Sequence, residues 1–98
     1  MTGKPVVLHP AALAEAEAAE WYRRRSERAA AGFLDELDPV IEQISSSPKR
    51  FAIFEFGTRR MLLRRFPYLV VFRESVTQVE VVAVAHGHRR PGYWRDRI

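Results

Sequence analysis

Arg59-Arg60-Met61-Leu62-Leu63-Arg64-Arg65-Phe66, Tyr68-Leu69-Val70-Val71-Phe72-Arg73-Glu74 and Thr77-Gln78-Val79-Glu80-Val81-Val82-Ala83-Val84-Ala85 are three strand-length runs rich in β-branched, aromatic and long apolar residues. Pro67 separates the first two and Ser75-Val76 the last two, and both breaks suit a tight connection. Strict alternation in the third run predicts Val79, Val81, Ala83 and Ala85 on one face, with Glu80, Val82, Val84 and His86 on the other. Just upstream, Phe51 to Phe56, closed by Gly57-Thr58, reads as a weaker strand of the same kind.

The first half of the chain has a different period. Pro5 to His9 reads as a short strand stopped by Pro10. From Ala11 to about Arg28 the residues are good helix formers, with Leu13, Ala14, Ala18, Trp21 and Tyr22 along one side, which predicts a helix burying that side on a sheet. A second helix is expected from near Ala29, with Phe33, Leu34, Leu37, Ile41 and Ile44 as its apolar face. Asp38-Pro39 matches an N-cap and first-turn proline, so a kink or a break and restart is expected there. Ser45-Ser46-Ser47-Pro48 ends the helical region as a plain loop.

The element order is therefore β-α-α-β-β-β. It predicts an α+β fold in which a short N-terminal strand and a two-helix hairpin pack on one face of a mostly antiparallel sheet. Two consecutive helices cover only one face, so the other is expected to be open to a ligand or partner. At 98 residues the chain is one domain, 1–98, with residues 87–98 as a basic and aromatic tail.

Composition narrows the chemistry. There is no cysteine, which excludes a thiolate nucleophile, a disulfide framework and a cysteine zinc site. The apolar run in MTGKPVVLHP is too short for a signal peptide, and no stretch approaches membrane-spanning length, so a cytoplasmic location is expected. The net charge of +4 is unevenly divided: residues 1–48 carry five Lys/Arg against eight Asp/Glu, and residues 49–98 carry eleven against four. The second half should attract nucleic acid or an acidic protein surface. Almost all of that charge is arginine, whose planar fork suits phosphate and carboxylate, although an Arg-favouring genome gives the same ratio.

The chain closes with His86-Gly87-His88-Arg89-Arg90-Pro91-Gly92-Tyr93-Trp94-Arg95-Asp96-Arg97-Ile98. This stretch, the run Arg59 to Arg73, and the valine-rich Val81-Val82-Ala83-Val84-Ala85 before it together resemble the RelE/ParE superfamily of type II toxins. The resemblance spans essentially the whole chain in element order, with its specificity in these stretches. It implies a small α+β plasmid-stabilisation toxin silenced by a cognate antitoxin in a hetero-oligomeric complex. RelE-like members cut mRNA on the ribosome with a cluster of basic residues and often a C-terminal tyrosine, whereas ParE-like members poison DNA gyrase and lack that cluster.

RNA cleavage without a metal needs a base, an acid and cations around the phosphate. Arg60, Arg64 and Arg89 with Tyr93 are the candidate catalytic set, with Arg65, Arg90 and His88 beside them. However, Leu62 and Leu69 stand where the resemblance implies further cations, so binding is favoured over cleavage. The expected target-binding residues are Arg64, Arg65, Arg89, Arg90, Tyr93 and Trp94, and the expected target is DNA gyrase. Arg59, Arg64 and Arg73 are the expected antitoxin contacts, pairing with carboxylates of an acidic segment. A third reading is a toxin fold that has lost activity and only binds antitoxin.

The remaining features read as structure. His86 and His88 lack a third ligand, so no metal or cofactor is expected; His86 should bond to backbone at the strand end while His88 faces solvent. Trp21 is expected in the core rather than as a stacking platform, while Tyr93 and Trp94 keep two readings, folding back onto the sheet edge or forming part of the target contact. Arg23-Arg24-Arg25 should be a solvated helix end.

Overall fold

The computed structural model describes residues 3–24, 32–90 and 92–98. Val6–Leu8 (β1), Ala52–Ile53 (β2), Arg59–Leu62 (β3), Tyr68–Glu74 (β4) and Val79–His86 (β5) form one sheet in the order β1-β5-β4-β3-β2. The last four strands are antiparallel neighbours, and β1 runs parallel to β5 with Val6 opposite Val79. Between β1 and β2 lie two helices, Pro10–Arg24 (α1) and Phe33–Ser46 (α2). The expected α+β architecture and element order hold. The expected end of the first helix near Arg28 and start of the second near Ala29 lie outside the described residues, as do the side chains of Tyr22 and the run Arg23 to Arg25.

The face of α1 toward the sheet differs from the expected one. Ala12, Ala16 and Ala19 are buried, with Glu15 and Glu20 on the same stripe, while Leu13 is 49% and Trp21 52% exposed. Small side chains allow close approach to β5, and the two acids are tolerated because each finds donors. Glu20 Oε2 accepts from Leu34 N at 2.8 Å, satisfying an amide at the start of α2 that the helix itself cannot. That contact also explains Gly32, where a Cβ would lie 2.5 Å from the Glu20 carboxylate.

The second helix runs from Phe33 to Ser46 with Pro39 inside it, so the expected break does not occur. An internal proline costs roughly 3 kcal/mol. Phe33 and Leu37 before it and Val40 and Ile44 after it all bury against the sheet, which offsets that cost. The resulting core packs these four against Val70, Phe72, Val79, Val81 and Val84, with Phe33 edge-on to Tyr68 at 5.0 Å.

Two local irregularities reshape the sheet. The expected strand Phe51 to Phe56 shortens to Ala52–Ile53, because the chain turns at Glu55–Gly57, where Phe56 (φ 58°) and Gly57 (φ 74°) both take left-handed conformations. In β5 the register slips, with Phe72 opposite Val81 but Val71 opposite Ala83, so Val82 is an extra residue. This bulge reverses the alternation: Val79 and Val81 face the helices, and beyond the bulge Val84 does, while Val82, Ala83 and Ala85 face away. The single-phase pattern expected for this run is therefore corrected.

The second face of the sheet is not open as expected. The tail folds back across it, and Trp94, 2% exposed, packs with Val71, Val82, Ala83 and Ala85, flanked by Phe54, Leu69 and Tyr93. Helices on one side and tail on the other give the sheet two separate apolar clusters.

Candidate target-binding surface

Glu15, on the buried stripe of α1, organises the tail. Among the described residues no strand pairs with the outer edge of β5 beyond Leu8, yet Val84 N donates to Glu15 Oε1 at 3.0 Å and Arg97 Nη1 donates to Val82 O at 3.0 Å. Side chains thus fill the ladder positions that β1 vacates at the bulge. Arg97 also meets the Glu15 carboxylate with both terminal nitrogens, at 2.9 and 3.0 Å, and the Tyr93 hydroxyl donates to Glu15 Oε2 at 2.6 Å. Burial alone would raise the Glu15 carboxyl, but hydrogen bonds from Arg97, Tyr93 and Val84, and the Arg97 charge, outweigh it and hold the group below its usual range. Burial, and then the bond and charge of Glu15, push the Tyr93 phenol well above its ordinary value.

With Tyr93 held, Arg89 stacks on its ring at 4.0 Å. On the far side of the same pocket, Arg60 of β3 lies 4.8 Å from the centroid of Phe54, and Arg90 completes the rim. The pocket is about 240 Å³ and its floor includes Leu69, Ala85 and Trp94. Arg95 lies over Phe56 at 5.3 Å, beside a second hollow that Arg90 and Asp96 also line.

Arg64 and Arg65 do not join this group. They sit in the β3–β4 connection, where Glu36 of α2 accepts from both backbone amides at 2.9 to 3.2 Å. Their exposed side chains border a different groove, of about 390 Å³, between α2 and β3, whose apolar lining includes Pro39, Val40, Met61 and Leu62. The connection is tied to the end of β5 by Gly87 N donating to Pro67 O at 2.7 Å. The expected target-binding residues are therefore divided: Arg89, Arg90 and Tyr93 share one pocket with Arg60, and Arg64 and Arg65 share another. Trp94 is too buried to be a contact residue and serves as a core side chain.

Of the expected antitoxin contacts, Arg59 donates to Phe51 O at 2.7 Å, and Arg73 pairs with Glu80 at 2.9 Å. Only Arg64 keeps its side chain outward without such a tie among the described residues. His86 Nδ1 accepts from His88 N at 3.1 Å and the two rings stack at 4.9 Å, so the turn after β5 is closed by the histidine pair itself. Among the described residues no group of three or more His, Asp or Glu is arranged to hold a metal. No helix there is long and apolar enough to cross a membrane.

Comparison with known proteins meets this geometry at the family level. A family model for the ParE toxin of the type II toxin–antitoxin system parDE matches residues 6–91. The chain belongs to the ParE toxin family. A solved chain from the chromosomal ParDE toxin–antitoxin system of P. aeruginosa has the same fold, with a TM-score of 0.71 at 15% identity, over 85% of this chain and 95% of that one. No curated protein matches. The family match reaches through β1, both helices, the sheet and the histidine turn, and stops short of the Tyr93-Trp94-Arg97 segment that covers the second face.

Glu15, Glu20, Glu36 and Arg97 do not appear among the sequence-derived site residues, and a usable signal existed only for the first two. Ala12, Glu15, Ala16, Ala19 and Glu20 follow the i, i+3, i+4, i+7, i+8 spacing of a buried face, on which an acid must have a partner.

Proposed function

We propose that this member of the ParE toxin family arrests growth by binding a macromolecular target, DNA gyrase, and that it is not a nuclease. The observation that carries this reading is the engagement of Tyr93. Its hydroxyl, the tail's candidate proton carrier, is bonded to Glu15 at 2.6 Å with its proton held more tightly than in water. The arginines around it are left as a cationic surface whose neighbouring tyrosine is committed to Glu15. Leu62, 61% exposed, and Leu69 occupy the tail-side face where further cations would be needed to steady a cleaving phosphate.

Gyrase supercoiling assays and cleavage mapping on translating ribosomes decide the matter. Lost supercoiling with intact transcripts supports the reading; codon-phased cuts overturn it in favour of a ribosome-dependent endoribonuclease using Arg60, Arg89 and Tyr93. Absence of growth arrest on expression would support a chain that only binds antitoxin. The antitoxin is assigned here to the groove between α2 and β3, where an apolar side chain can bury against Val40 and Met61 while a carboxylate meets Arg64 or Arg65. Co-expression with the neighbouring reading frame should give a stable complex that Arg64→Glu weakens.

A further inference from the structure

The turn that joins β2 to β3 carries a residue that its backbone does not favour. Both central positions of the turn 55–58 have positive φ, 58° at Phe56 and 74° at Gly57, and Thr58 N donates to Glu55 O at 3.2 Å, which is the pattern of a type I′ hairpin turn. Such a turn prefers Asn-Gly, because a bulky side chain in the left-handed conformation crowds its own backbone. Among the described residues Phe56 is the one non-glycine residue with a positive φ. Strain of this kind persists where surrounding contacts hold it, and it clusters at functional sites.

Packing accounts for only part of it. Phe56 meets the Trp94 ring edge-on at 5.9 Å, Arg95 lies over its ring at 5.3 Å, and a Cβ on Gly92 would come within 3.2 Å of its Cε2. These contacts fix the ring without covering it: Phe56 stays 49% exposed, and the buried Trp94 is also packed by Phe54. An aromatic side chain that is ordered yet uncovered loses little freedom on binding, as an anchor at a protein interface requires. One face is taken by a guanidinium and one edge lies against Gly92, so the ring is shaped to enter a recess rather than to receive a stacked base. The two hollows flanking the turn hold Arg60, Arg89, Arg90 and Arg95 against Glu55 and Asp96, a net cationic setting that selects a partner surface with carboxylates. A second copy of this chain would bring the same cations together.

We propose that Phe56 is the anchor by which the toxin docks on its protein target, its ring entering an apolar recess rimmed by carboxylates that Arg90 and Arg95 meet; this rests on the reading of the chain as a target-binding toxin and adds the contact to it. The turn trades stability for a side chain that the partner uses.

Phe56→Asn supplies the residue the turn prefers, so it separates docking from folding. Relief of the backbone and loss of the edge contact with Trp94 are similar in size, so the variant should melt within roughly 4 °C of wild type. It should nevertheless bind purified gyrase about thirtyfold or more weakly and lose inhibition of supercoiling in proportion. Phe56→Tyr keeps the ring and should stay within about threefold of wild type. Val76→Asn removes an apolar side chain that is 93% exposed in the β4–β5 connection, outside both hollows, and should bind as wild type does. All three variants should retain co-expressed antitoxin, whose groove lies between α2 and β3. The proposal is overturned if Phe56→Asn inhibits gyrase normally, if Val76→Asn weakens binding equally, or if antitoxin is lost along with gyrase. A Tm loss beyond about 10 °C in Phe56→Asn assigns the residue to folding and overturns it too, as does a short single-stranded oligodeoxynucleotide that binds wild type but not this variant. If wild type arrests growth without touching gyrase, the gyrase reading fails alone: the anchor then stands if Phe56→Asn abolishes arrest and falls if it does not. A wild-type chain that arrests nothing overturns both.

Discussion

Replacing Glu15 by alanine should destabilise the chain more than any other substitution of an acidic residue on α1. The carboxylate accepts four hydrogen bonds, from Val84 N, Tyr93 Oη and both terminal nitrogens of Arg97, and the ion pair is about four-fifths buried, with side-chain exposures of 19% and 17%. Removing one partner of a fully buried pair costs roughly 3–5 kcal/mol, mostly because the other charge is left stranded. Here water can reach about a fifth of each side chain, and Arg97 keeps its bond to Val82 O, so about 2–3 kcal/mol is the reasoned loss. For a domain of this size that lowers Tm by roughly 10–20 °C. Thermal and urea melts of the full chain measure it, and amide exchange at Val84 should rise more than at Val70 on the neighbouring strand. A change under about 0.5 kcal/mol would place Glu15 among ordinary surface residues and refute the idea that it holds the tail.

Other consequences can be checked alongside. Trp94→Ala should cost about 3–5 kcal/mol in the same melts by emptying the centre of the second apolar cluster. The Glu15 carboxyl is depressed in the fold, so its contribution is complete above the unfolded value near 4.5 and is lost as pH falls through the folded one; melts from pH 7 down to pH 3 should show that decline, reduced in Glu15→Gln. The Tyr93 phenol is raised, so its contribution is complete below pH 10 and declines above it, where absorbance should show one tyrosine ionising late. Glu36→Ala frees two loop amides and should cost about 1–2 kcal/mol while speeding amide exchange at Arg64 and Arg65, and unchanged exchange there would refute the staple.

Periodicity made the fold legible because most elements carry a strong one. Tyr68 to Glu74 emerges as the strand it reads as, and Phe33, Leu37 and Ile44 face the core because their spacing allows no other helix face. Where the sequence misled, a weaker local rule yielded to packing. Leu13 and Trp21 look like a core face of α1, but an alanine stripe brings the helix nearer the sheet, and two acids on that stripe are satisfied by groups remote in sequence. Pro39 reads as a break because its local cost is real, and burial on both sides overrides it. The bulge at Val82 has no signature in a uniform valine-alanine run, although it decides which residues meet the tail. For the candidate site, the arginines could be named but not sorted. The division into Arg60 with Arg89 and Arg90, against Arg64 with Arg65, depends on a tail fold that only Trp94 and its cluster define.

The parallel pairing of β1 with β5 bears on kinetics. Val6 meets Val79, so the first strand has no edge to join until β5, from the other half of the chain, is in place. Closing so long a loop delays the last rung of the ladder, placing the chain with slower, non-local folders rather than with helical ones. The same closure works in reverse: α1 and α2 lie inside the loop it seals, so undoing that one pairing loosens helices and sheet together, and partial unfolding has few places to begin.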